Sequence, residues 1–144
     1  MKNWGRPVDV YCNGWRPKAD HLEHELCLTD FLLKYPTADI VRGPEVDDRI
    51  RPDATMQLDG RTFHVELDTG LESHSQVRRR QQLGYTGVED FVLYIALSER
   101  RCEALIRNVH DAAKPIALFA TLQTAVRSPR GEIWRDAFGK SASI

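Results

Sequence analysis

The first apolar pattern in the chain has the period of an α-helix. Asp20, with Glu23 three residues later, fits a capping box and predicts where this helix begins. Pro36 predicts an end at about Tyr35, because the residue before a proline disfavours helical geometry. Apolar residues in this span follow the i, i+3, i+4, i+7 spacing of a buried stripe, namely Leu28, Phe31, Leu32 and Tyr35. We therefore expect one face of the helix to pack on a sheet.

Alternation of polar and apolar residues then predicts strands. After a strand over 38–41, two more are expected over 51–58 and 61–68, joined by Asp59-Gly60, a pair that favours a two-residue hairpin turn. The second hairpin strand alternates, with Phe63, Val65 and Leu67 on one face and Thr62, His64, Glu66 and Asp68 on the other. This pattern is typical of a sheet with one buried and one polar face.

The second half of the chain predicts alternating helices and strands. Residues 73–83 form a polar helix, 91–97 an apolar central strand, 98–110 a helix and 116–122 another buried strand. The two strands should be parallel, because a strand–helix–strand connection is almost always a right-handed crossover. The predicted fold class is α/β, a three-layer sandwich with helices on both faces of a mixed central sheet.

This domain is expected to cover residues 20–126. Residues 1–19 are predicted to be an irregular N-terminal arm, with Trp4 and Trp15 packed on the domain. Residues 127–144 are predicted to be a polar C-terminal tail. Its candidate docking anchors are Ile133, Trp134 and Phe138.

Composition removes several classes of function. The 144 residues include 20 Lys and Arg against 21 Asp and Glu, a net charge of -1, which excludes a chain that is basic throughout. There is no apolar signal segment and no run near the ~20 residues that cross a membrane. Three widely spaced cysteines, Cys12, Cys27 and Cys102, show no disulfide or zinc pattern. We predict a cytoplasmic protein with reduced thiols.

Three carboxylates gather on the polar face of the hairpin. Glu66 and Asp68 are two residues apart on one strand and point to the same side. The two-residue turn sets Asp53 opposite Glu66, within about 4.5–5.5 Å at Cβ. Like charges at this range raise one another's pKa, and a divalent cation relieves that cost. An all-oxygen site favours Mg²⁺ or Mn²⁺. The alternative is neutralisation in plain ion pairs by the nearby arginines Arg49, Arg51, Arg61 and Arg78–Arg80.

Pro52-Asp53, followed after the hairpin by Glu66-Leu67-Asp68, resembles the PD-(D/E)XK motif of restriction-endonuclease-like nucleases. The predicted order of elements also matches the αβββαβ core of that superfamily. The resemblance implies that Asp53 and Glu66 bind Mg²⁺, which activates water and stabilises charge on the phosphate. Asp68 stands where the family has a lysine. It would then be a third ligand or would orient the attacking water.

Three segments more narrowly resemble the replication-relaxation family of plasmids and other mobile elements. They are residues 24–30, 51–54 and 65–70, and the match spans roughly residues 21–98. The resemblance implies DNA as a partner and a role in replication or transfer. It also implies that His24, on the first helix, lines the metal site. The other reading of His24 is a polar residue at the solvent edge of the helix.

Gln81 and Tyr85 fit the Gln-xxx-Tyr pattern of RecB-like nucleases, in which these side chains flank metal and DNA. Arg78, Arg79 and Arg80 directly precede them. Such a run is usually a solvated face, but next to carboxylates it equally favours phosphate binding. Arg79 or Arg80 could supply the missing charge of the lysine, although arginine stays protonated and cannot act as a base.

The function predicted from sequence is therefore a nuclease-like protein that uses Mg²⁺ or Mn²⁺ and acts on DNA phosphodiesters. The first alternative is a degenerate member of the same fold that binds DNA or a replication partner without cleaving. The second is a protein-interaction domain with a salt-bridged acidic patch. A homodimer is one option, as in many nucleases of this fold.

Overall fold

The computed structural model of the chain describes residues 19–44 and 49–144. The predicted packing of Trp4 and Trp15 lies outside these ranges. The helices are α1 (Ala19–Leu32), α2 (His74–Tyr85), α3 (Glu99–Arg107) and α4 (Leu122–Arg127). The strands are β1 (Asp39–Arg42), β2 (Ala54–Leu58), β3 (Arg61–Asp68), β4 (Phe91–Ala96), β5 (Ala117–Thr121), β6 (Trp134–Asp136) and β7 (Ser141–Ala142).

These strands form one mixed sheet whose spatial order follows the chain from β1 to β7. Neighbours are antiparallel from β1 to β3, parallel from β3 to β5, and antiparallel again at β6 and β7. The α/β class, the mixed sheet and the parallel pairing of β4 with β5 are confirmed. Within the described ranges, no helix has the length and apolar content to cross a bilayer.

The β2–β3 hairpin has the predicted turn and register. Asp59 and Gly60 both have positive φ, 51° and 77°, which a two-residue turn of this kind requires. Leu58 pairs with Arg61, and the pairing continues to Ala54 opposite Val65. The turn therefore fixes which side chains of the two strands share a face.

Two apolar clusters lie on the two faces of this sheet. One contains residues of α1 together with Phe63, Val65 and Leu67, as predicted for the apolar face of β3. The other is built from α2, α3 and the opposite faces of β4 and β5, and includes Val77, Tyr94 and Cys102. Residues on both faces are thus covered, as a layered α/β sandwich requires.

The half-buried pattern predicted for β3, with one buried and one polar face, was wrong, because both of its faces are buried. His64, Glu66 and Asp68 are all buried, because this face lies under α2 and α3. Period-two alternation indicates which side chains share a face, but it does not indicate whether a helix covers that face. A polar face that is buried must have its charges paired or neutralised.

Helix α1 and the C-terminal segment also depart from expectation. Asp20 lies inside α1 rather than capping it, and the helix ends at Leu32, followed by two short i→i+3 turns up to Tyr35. The tail is not an appendage, because β6 and β7 extend the sheet. Trp134 is fully buried as an anchor, whereas Phe138 is 69% exposed.

Candidate metal and nucleic-acid site

Asp53 lies directly before β2, at the edge where the parallel strands end. Its N–H donates to the Val65 carbonyl at 3.0 Å. Its carboxylate Oδ2 accepts the N–H of Leu67 at 2.8 Å. Asp53 therefore contacts both neighbours of Glu66 along β3, which places the two acids together as the sequence predicted.

His24 on α1 reaches the same carboxylate oxygen. Its Nε2 lies 3.2 Å from Asp53 Oδ2, and its Nδ1 lies 3.5 Å from Glu25. The hydrogen bond to Asp53 is the main reason that the pKa of His24 is raised. Oδ1 of Asp53 makes no hydrogen bond or ion pair to any other described residue. His24 thus lies beside Asp53 as a partner of its carboxylate, and one carboxylate oxygen has no partner among the described residues.

Glu66 is buried, with 8% of its surface exposed. Its Oε1 accepts a hydrogen bond from the Tyr85 hydroxyl at 2.8 Å, and its Oε2 lies 3.8 Å from Arg80 Nη1. Burial and, second to it, the negative charge of Asp53 together raise the pKa of Glu66 from 4.5 to about 8. Arg80 and Tyr85 oppose this shift but do not cancel it. Near neutral pH, without a bound cation, Glu66 is mostly protonated.

Asp68 has a different environment, although it lies on the same face of β3. Arg101 of α3 donates to both of its oxygens, at 2.8 and 2.9 Å. The Gly70 N–H adds a bond of 2.7 Å to Oδ1. The predicted role of Asp68 as a metal ligand or water-orienting residue is therefore corrected, because its carboxylate is already neutralised. Its partner is Arg101, which the sequence analysis did not single out.

The three consecutive arginines of α2 diverge. Arg78 donates to the carbonyls of Asn108 and Val109, beyond the end of α3, at 2.8 and 3.3 Å. Arg79 is exposed and has no ion pair within the described residues. Arg80 bonds Glu72 at 2.8 Å and faces Glu66. Because successive helical residues point in directions about 100° apart, only Arg80 reaches the carboxylates.

Gln81 and Tyr85 both turn inward from α2. Gln81 is 1% exposed, and its Oε1 accepts the N–H of His110 at 2.9 Å. Its predicted contact with nucleic acid is corrected, because its amide is buried between helix and loop. Tyr85 is also buried, and its hydroxyl bonds Glu66 in place of the predicted contact with nucleic acid.

A cleft opens beside Glu66, between residues 49–51 and α2. Its volume is about 230 Å³, and Glu66, Arg80 and Tyr85 contribute to its walls. The segment 49–51 contributes two further guanidinium groups. From the sequence, Arg49 and Arg51 were expected only as partners for the carboxylates. Their place in a cleft depends on the path of the loop before β2, which no local pattern indicates.

A close approach of backbones shapes one wall of this cleft. A Cβ on Gly84 of α2 would lie 3.1 Å from the carbonyl oxygen of Arg49. A glycine at this position of α2 therefore lets the helix and the 49–51 segment approach closely.

The donor set is limited for a metal. No group of three or more His, Cys, Asp and Glu side chains in the described part of the chain is arranged to hold an ion. Two carboxylates remain, Asp53 and Glu66. His64, on the same face of β3, is buried between Thr55 and Asp90 instead. Cys102 is a buried core residue.

Comparisons of the chain with family models, with curated proteins and with solved structures found no match. The geometry of the site is therefore the basis for assigning a function.

Proposed function

We propose that this protein is a divalent-metal-dependent nuclease of restriction-endonuclease-like fold that acts on DNA phosphodiesters. The observation that carries the proposal is the pairing of Asp53 with Glu66 beside a cleft walled by arginines. One carboxylate is partly open, and the other is buried without a full counter-charge. A role in replication or transfer of a mobile element, and a replication-protein partner, follow from the family resemblance alone.

The order of elements supports this proposal. From α1 to β4 the chain follows the αβββαβ order that the resemblance implies, with β1 to β3 antiparallel and β4 parallel to β3. Asp53 lies directly before the second strand and Glu66 near the end of the third. These are the places that the PD-(D/E)XK pattern assigns to its two acids.

The residues present fit a hard divalent cation. Mg²⁺ commonly uses only one or two carboxylates and fills its other positions with water and phosphate oxygens. The raised pKa of Glu66 marks a buried carboxyl group that lacks a full counter-charge in the protein. Such a group is expected of a ligand that binds a cation. Asp53 and Glu66 would hold the ion, which when bound supplies an activated water and stabilises charge on the phosphate.

The protein's own side chains would position these groups. His24 and the Leu67 N–H fix the orientation of Asp53, and the Tyr85 hydroxyl fixes Glu66. Such outer partners orient ligands and tune their affinity. Arg80 lies close enough to Glu66 to bind a phosphate oxygen at the site and balance its charge.

A second candidate function is DNA binding without cleavage by the same fold. The ion pair between Asp68 and Arg101 favours it, because no amine lies at the position where the family has its lysine. Arginine stays protonated and cannot take a proton from water. In this case the cleft would bind a DNA strand, and the carboxylates of Asp53 and Glu66 would have a structural role.

The test is cleavage of supercoiled plasmid and of single-stranded DNA with Mg²⁺ or Mn²⁺, with EDTA as the blank. We expect cleavage by the wild type and background activity for Asp53→Asn and Glu66→Gln. Glu89→Gln, an exposed acid outside the site, is the matched control and should cleave normally. Binding without cleavage, unchanged by EDTA, would select the second candidate. Equal activity in all three variants would overturn both the metal site and its chemistry.

A further inference from the structure

More basic than acidic residues line the cleft beside Glu66. Among its lining residues within the described chain, three are arginines and one is acidic. That acid is Glu66, whose side chain is buried at the edge of the cleft. A cavity with a surplus of guanidinium groups attracts anions, because such groups bind phosphate and carboxylate in a planar, bidentate manner.

Arg51 is the cation best placed to accept a ligand. It is exposed and makes no hydrogen bond or ion pair to any other described residue. Arg80, on the opposite wall, has 52% of its side chain exposed and holds Glu72 at 2.8 Å. A group that enters the cleft therefore meets Arg51, which has no partner among the described residues, and Arg80, which bonds Glu72 and faces Glu66 at 3.8 Å.

The size of the cleft limits what it can hold. Its volume of about 230 Å³ is below the roughly 300–1,000 Å³ of pockets that enclose a drug-sized molecule. It suits one tetrahedral anion and the atoms next to it. A whole nucleotide with its base would not be enclosed, so the remainder of the ligand must lie outside.

We propose that this cleft is a phosphate-binding site, formed by Arg51 and Arg80, that holds one phosphate group of a nucleic-acid strand. The site deepens the proposed function, since it places the strand beside Asp53 and Glu66, but it needs no metal. The phosphate can be internal to the strand or at its 5′ end. Arg51 is then a residue that binds the nucleic-acid strand, although the sequence pattern pointed to Arg78–Arg80 for this role.

The experiment measures binding in EDTA, so that no cleavage occurs. Two fluorescein-labelled single strands of one sequence are used, with and without a 5′-phosphate, over about 50 to 200 mM salt. Arg51→Gln should weaken binding about tenfold, as expected for a lost charge-assisted bond. It should also lower the salt slope by about 0.7, the value for one phosphate contact on a single strand. Arg61→Gln, an exposed arginine at the hairpin turn, removes the same charge elsewhere and should change affinity less than about twofold.

The two strands identify the source of the phosphate. Loss of affinity in Arg51→Gln for both strands assigns an internal phosphate, and loss only for the phosphorylated strand assigns the 5′ end. The proposal is overturned if the wild type binds neither strand, or if Arg51→Gln and Arg61→Gln behave alike.

Glu66→Gln separates this site from the nuclease assignment. It should abolish metal-dependent cleavage yet retain strand binding in EDTA, because it removes the acidic residue of the cleft and keeps its shape. Arg51-dependent binding by a protein that never cleaves would overturn the proposed function alone. Cleavage combined with binding indifferent to Arg51 would overturn this inference alone.

Discussion

Glu66 and Asp68 lie two residues apart on the same buried face of β3, yet the fold treats them differently. Asp68 receives both arms of Arg101 and the Gly70 N–H. Glu66 receives one hydroxyl, and its nearest guanidinium is 3.8 Å away. A buried carboxylate whose oxygens are all bonded stabilises the fold. A buried carboxylate that lacks a counter-charge destabilises the fold and is suited to bind a ligand such as a cation. On the proposed function, this contrast makes the Glu66 end of β3 the functional one and the Asp68 end the structural one.

The largest expected effect comes from breaking the structural end. Arg101→Met leaves Asp68 buried without its counter-charge, and we expect a loss of about 3–5 kcal/mol in the free energy of unfolding. Arg100→Met removes the neighbouring exposed arginine and should cost less than about 0.5 kcal/mol. Urea denaturation of both variants measures the difference. Similar small losses in the two would show that Asp68 does not depend on Arg101.

The pH dependence of stability examines the other end. In metal-free protein the folded pKa of Glu66 is about 8, raised from 4.5. A raised folded pKa gives stability that is complete below about pH 4.5 and is lost as the pH rises to 8. The loss should be on the order of 5 kcal/mol. Glu66→Gln should remove it, so the variant gains on the wild type as the pH increases.

Urea unfolding in EDTA at several pH values measures this gain. Burial lowers the pKa of His64, so its protonation destabilises both proteins at acid pH. This shared contribution cancels in the difference between the two curves. Parallel curves for wild type and Glu66→Gln would mean that ionisation of Glu66 does not destabilise the folded protein.

A smaller effect sharpens the comparison at the cleft. The Cβ of Gly84→Ala would lie 3.1 Å from the Arg49 carbonyl oxygen, so the 49–51 segment must shift by a few tenths of an ångström. We expect strand affinity in EDTA to fall severalfold, with a change in stability below about 1 kcal/mol, since alanine also favours the helix. Gln82→Ala, exposed on the same helix, is the control and should bind normally. Normal binding by Gly84→Ala would show that the wall does not shape the site.

Local patterns predicted the parts of the site that depend on neighbouring residues. Asp59-Gly60 favours a two-residue turn, and this turn fixes the strand register that brings Asp53 beside Glu66. Ser73 caps α2, and its reciprocal bond with Gln76 fixes the start of the helix and hence the angular positions of Arg80 and Tyr85. These features need no knowledge of the rest of the chain.

The features that were missed depend on distant contacts. Arg101 meets Asp68 only because α3 begins where β4 ends, next to β3 in a parallel arrangement. Burial of the polar face of β3 depends on helices that follow it. The strands β6 and β7 contain three and two residues, too few for alternation to be recognised. Sequence alone therefore located the acids but could not show which of them had a partner.

The most direct test of the account is Mn²⁺ binding, followed by electron paramagnetic resonance of the free ion. Wild type, Glu66→Gln and Asp68→Asn are compared at pH 8, with folding of each verified by circular dichroism. The account predicts one Mn²⁺ site in the wild type, its loss in Glu66→Gln and its retention in Asp68→Asn. Binding that survives Glu66→Gln, or that disappears equally in Asp68→Asn, would contradict the division of β3 into a functional and a structural end.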